Sequence, residues 1–72
     1  MKRAVVSLRW DDLAGVWIAT GVTVPGLVLE DDDLRSLFVR VKMAVPDLLD
    51  GEKCDIIYTV NDKSAEKLPV GE

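Results

Sequence analysis

A chain of 72 residues has room for one domain, and at this size folding buries only about 60% of the surface that the unfolded chain exposes. With 49% hydrophobic and 31% charged residues, the composition is that of a globular domain and not of a disordered segment, and no run approaches the ~20 apolar residues of a membrane-spanning helix. Nine Lys and Arg against thirteen Asp and Glu leave a net charge of −4, which argues against sequence-independent nucleic-acid binding, a property that rests on clustered basic side chains.

The absence of histidine removes Ser-His-Asp, Cys-His and zinc-His chemistry together. One cysteine, Cys54, permits neither an intrachain disulfide nor a Cys-rich metal site. Met1-Lys2-Arg3 starts with positive charge, but Val5 and Val6 are followed by Ser7 and Arg9 and not by the apolar core of a signal peptide, so a reducing cytoplasm is the expected compartment.

In chain order, residues 3–10 alternate. Ala4, Val6, Leu8 and Trp10 fall on one face, with Arg3, Val5, Ser7 and Arg9 on the other, the pattern of a half-buried strand. Asp11 to Gly15 reads as a turn, and Val16 to Thr20 resumes a composition of branched and aromatic residues, so the pair predicts an antiparallel hairpin. Val24-Pro25-Gly26-Leu27 has the form of a type II turn, with proline presetting one dihedral and glycine supplying the positive φ that follows. Leu27 to Leu29 is a short third strand.

The helix signal is the clearest. Asp33 is a suitable N-cap, and Leu34, Leu37, Phe38, Val41, Val45, Leu48 and Leu49 recur at spacings of three and four. Gly51 is a natural stop. Pro46 implies either a kink near 43–46 or a second short helix, and one kinked helix over 33–50 is the expectation. Asp55 to Val60 is a fourth strand, and residues 61–72 form a loose polar tail behind a single domain at 1–60. The fold class is thus α+β: a small antiparallel sheet in the order β-β-β-α-β, with one helix on one face. One helix cannot cover both faces. The other face, expected to carry Val5, Trp17 and Ala19, predicts a homodimer or higher homo-oligomer.

The acids are the candidate site. Glu30, Asp31, Asp32 and Asp33 are consecutive, whereas a calcium loop places oxygens at alternate positions around a sharp glycine turn, so dipole and capping duty at the helix start is the simpler reading. Asp11 and Asp12 fall in the hairpin turn, where Asp commonly caps its own backbone. With Glu30 they could make an acid–base pair, but no substrate pocket is legible around them. Trp10 and Trp17 could stack bases, and the negative net charge favours packing instead. No glycine spacing suits a phosphate or dinucleotide loop. No cofactor and no metal are expected.

Taken together, Trp10-Asp11, Ala14-Gly15-Val16-Trp17-Ile18-Ala19-Thr20, Val24-Pro25-Gly26-Leu27, Glu30, Leu34, Leu37 and Ala44-Val45-Pro46-Asp47-Leu48-Leu49 resemble the HicB-like antitoxin family, in its short single-domain branch often filed as a domain of unknown function. The resemblance spans residues 4–50 and includes Pro46. It implies a truncated ribonuclease-H-like fold without a working nuclease site, which binds and masks a HicA-like toxin, a small basic mRNA interferase. Leu13 stands where that family tends to have an acid. Full-length HicB proteins carry a C-terminal DNA-binding module, and the twelve residues after Val60 are too few for one, so DNA binding is not expected.

The function expected is therefore non-enzymatic: an antitoxin-type protein whose Asp11, Asp12 and Glu30 to Asp33 complement a basic partner, with Trp17 as an exposed apolar anchor. The alternative is a stand-alone homo-oligomeric module without a toxin. A carboxylate-metal nuclease ranks last, since it needs three convergent acids on strands.

Overall fold

A computed structural model describes residues 2–49, 51 and 54–61. It contains β1 (Lys2–Asp11), β2 (Val16–Gly21), β3 (Val28–Asp31), α1 (Leu34–Leu48) and β4 (Cys54–Val60). The strands form one sheet in the order β3-β2-β1-β4. The α+β class and the β-β-β-α-β order are those expected. Of the expected tail only Asn61 is described, and residues 62–72 lie outside the described residues. Among the described residues no helix is long and apolar enough to cross a membrane.

The sheet is mixed where an antiparallel one was expected. β1 pairs antiparallel with β2, and β2 with β3, but β4 joins β1 in parallel. The helix explains this: α1 carries the chain from the end of β3 back over the sheet, so β4 starts at the same end as β1.

Register decides which side chains meet the helix. The rows Leu29–Ala19–Leu8–Val60 and Asp31–Trp17–Trp10 lie on the helix side, together with Val6–Tyr58 and Ala4–Ile56. Leu34, Leu37, Val41 and Val45 of α1 are buried against Ala4, Val6, Leu8, Trp17 and Ala19. Each fully buried Leu or Val contributes about 1.5–3 kcal/mol. Trp17 is 3% exposed and meets Trp10 edge-on at 5.6 Å between ring centroids. This corrects the placement of Trp17 and Ala19 on the bare face, and with it the role of Trp17 as an exposed anchor. The bare face instead carries Val28–Thr20–Ser7–Thr59 and Glu30–Ile18–Arg9 as rows, with Val5 beside Ile57 and Arg3 beside Asp55.

β2 ends at Gly21, and the following loop takes over its role. Val22 N and Thr23 N donate to the Val5 carbonyl, and Val5 N donates to Thr23 Oγ1 at 2.9 Å. Leu27 N donates to the Val24 carbonyl and Gly26 has φ +84°, which realises the Pro-Gly turn and drops Val24 and Leu27 into the core. β3 then runs on to Asp31, past the expected end at Leu29, because pairing with β2 outweighs the poor strand preference of acidic residues.

α1 begins as expected, with Asp33 as its N-cap accepting from Arg35 N. It runs unbroken through Pro46, which lies in its last turn and so forfeits a single helical hydrogen bond. The Pro46 carbonyl receives Leu49 N at 3.2 Å and Gly51 N at 2.6 Å, and Gly51 adopts φ +79° to close the end.

Two outcomes follow. An added Cβ at Gly21 would collide with the Val24 carbonyl oxygen and come within 2.9 Å of Leu27 Cβ, whereas at Gly15 it would meet nothing within 4 Å. Gly21→Ala should therefore cost about 1–3 kcal/mol, as overpacking does, and lower the melting temperature well below that of Gly15→Asn, in which Asn tolerates the left-handed backbone. Leu37→Ala should cost about 2–5 kcal/mol in urea unfolding, while Val39→Ala on the outer helix surface stays within about 0.5 kcal/mol.

Candidate functional site

The sheet register gathers the candidate acids. Asp11 lies opposite Val16 at the end of the hairpin, and Trp10 and Asp31 flank Trp17 in the next row. With strands about 4.8 Å apart, Asp31 is roughly 10 Å from Trp10 across two strand spacings. Asp11, Asp12, Glu30, Asp31, Asp32 and Asp33, distant in sequence, thus share one end of the sheet. Glu30 and Asp31 belong to β3 itself and not to the helix start.

Most of these carboxylates have structural work. Asp11 Oδ1 accepts from Leu13 N at 3.0 Å and Ala14 N at 3.3 Å, and the Asp11 carbonyl accepts from Gly15 N, which fixes the hairpin turn. Asp12 Oδ1 accepts from Trp10 Nε1 at 2.6 Å. Asp31 Oδ1 accepts from Asp33 N at 2.9 Å, and Asp33 accepts from Arg35 N and the Ser36 hydroxyl. Arg40 reaches back from α1: its Nη1 donates to the Glu30 carbonyl at 2.7 Å and lies 3.6 Å from Asp31 Oδ2. These bonds orient the carboxylates without neutralising them, apart from the Asp31–Arg40 pair. Among the described residues no group of three or more His, Cys, Asp or Glu could hold a metal ion.

Sequence reasoning does not single out Leu13. It stands fully exposed at the hairpin tip, beside Asp11 and Asp12. A leucine in a turn held by the bonds of its flanking aspartates has no core to reach, which is the signal that could have found it.

A second feature lies on the helix side. α1 packs over β2 and β3 and leaves an apolar groove of about 580 Å³ against β4, with Val45 and Pro46 on one wall and Ile56 and Tyr58 on the other. Tyr58 also meets Phe38 of α1, with ring centroids 4.7 Å apart. Burial there pushes the Tyr58 hydroxyl above the usual tyrosine pKa.

Asp31 is held below the usual aspartate pKa, chiefly by the Asp33 backbone N–H; desolvation opposes this, and the Asp32 and Arg40 side chains add smaller lowering effects. A lowered carboxyl pKa means that the unfolded chain binds the proton more tightly, so this stabilisation is present above the ordinary aspartate value and is lost as pH falls through the lower folded value. Asp31→Asn should be less stable than the unaltered chain at neutral pH, with the difference closing in acid; urea unfolding across a pH series checks it.

Comparison with known proteins bears on this arrangement in three ways. The crystal structure of the hypothetical protein TTHA1013 from the extremely thermophilic bacterium Thermus thermophilus is similar, with a TM-score of 0.66 and 28% sequence identity over 79% of this chain and 92% of that one. A search of curated proteins finds no match. A family model matches residues 3–62, from the first strand through the last, and the chain belongs to that family, DUF1902, a domain of unknown function.

Proposed function

We propose that this chain is a non-enzymatic binding module of the HicB-like antitoxin type, which acts in the cytoplasm by masking a small basic partner such as a HicA-like mRNA interferase. The observation that carries the reading is that six carboxylates, divided between the two faces, lie at one end of the sheet, where fully exposed Leu13 follows Asp11 and Asp12 in the hairpin turn. An exposed apolar residue beside a charged cluster can capture a partner of opposite charge, the charges steering the encounter and the apolar contact slowing release. The truncated sheet-and-helix architecture supports the same reading, since it is the one the HicB resemblance implies.

The test looks for a small basic RNA-cleaving protein encoded beside this chain, and the lack of one would overturn the reading. The purified chain should suppress that cleavage, and the binding should weaken as salt is raised. Glu30→Lys with Asp32→Lys should slow association by about tenfold, and Leu13→Ser should speed dissociation. Unabated cleavage in the presence of the chain would overturn the reading, as would binding indifferent to these changes.

A further inference from the structure

The two edges of the sheet are finished differently, and we infer from this that β4 is a self-pairing edge on which a second copy of the chain adds its own β4, antiparallel, about a twofold axis at Ile57. Edge strands are ordinarily blunted by shortness, by charge or by a cover. β3 has all three: it is four residues long, carries Glu30 and Asp31, and has a carbonyl taken by Arg40 from the helix above. Among the described residues β4 has none of them to the same degree. It is seven residues long, contains neither proline nor lysine, and bears one charge, Asp55.

Its sequence is complementary to itself read backwards. Centred on Ile57, the antiparallel register places Ile56 opposite Tyr58 and Cys54 opposite Val60, all on the helix side. On the other side Asp55 meets Thr59, and Ile57 meets Ile57. No like charges face each other, and apolar residues meet apolar ones, which is what stabilises cross-strand pairs. Ile57 is 41% exposed in the single chain and would be covered by its counterpart. The groove beside β4 also gains an occupant, because the Tyr58 and Ile56 side chains of the second copy project on its open side. The assembly is a continuous eight-stranded sheet with both helices on one face. It leaves the acidic end and Leu13 free, so it stands independently of the antitoxin reading.

Two measurements test it. In sedimentation at increasing concentration the chain should form a dimer, and Ile57→Lys, which sets two ammonium groups face to face, should raise the dissociation constant by about tenfold or more. In a Cys54→Ser background, Ile57→Cys should cross-link to itself under mild oxidation, whereas Thr59→Cys should not, since the register separates two such residues by four positions, about 13 Å. A chain that remains monomeric, an Ile57→Lys dimer of undiminished affinity, or equal cross-linking through both positions would each overturn the proposal. Should Ile57→Lys fail to fold, the cross-linking pair decides alone.

Discussion

Everything in this molecule depends on one contact: the stripe Leu34, Leu37, Val41 and Val45 laid against Ala4, Val6, Leu8, Trp17 and Ala19. A domain this small has one core, and among the described residues all eleven buried apolar side chains belong to that seam or to the Val24–Leu27 turn that plugs its end. The helix is narrower than the sheet. It lies toward β3 and β2, where Arg40 ties it to the Glu30 carbonyl, and it stands off from β4. Among the described residues, placing the helix over one edge is what leaves the other edge, and the groove beside it, incompletely covered.

The elements that follow local rules were legible in the sequence. Period-two alternation identified β1 and its inward residues, and the three-and-four spacing identified the buried face of α1. The N-cap at Asp33 and the Pro-Gly turn are short-range chemistry and appear as expected. What was not legible depends on register. In β2 the run Val16-Trp17-Ile18-Ala19 is apolar on both faces, so its own pattern cannot say which parity points inward. That choice is made by the hairpin, which sets Trp17 opposite Trp10. The parallel seating of β4 is likewise invisible locally, because it is a property of the helical crossover and not of the strand.

The candidate site divides in the same way. Each acid was visible, and the capping roles of Asp11 and Asp33 followed from their positions in a turn and at a helix start. Their convergence was not visible, since Asp11 and Asp31 are brought to one end only by two successive strand pairings. The anchor was misplaced for a related reason. Aromatic size pointed to Trp17, but in a small core the largest apolar side chain is the one the fold can least spare for the surface, and the exposed apolar side chain in the hairpin is Leu13.

The parallel pairing of β1 with β4 has a consequence for how the domain is made. Residues 2–8 find their second neighbour only in residues 54–60, at the far end of the domain. The hairpin and the helix can begin to form as the chain emerges from the ribosome, but the sheet's central strand stays half-partnered until the last strand has been synthesised. Closure is therefore a late, long-range event, and folding is slower than the short length alone suggests. Until that strand arrives, the nascent domain presents the unpaired flank of β1 to its surroundings.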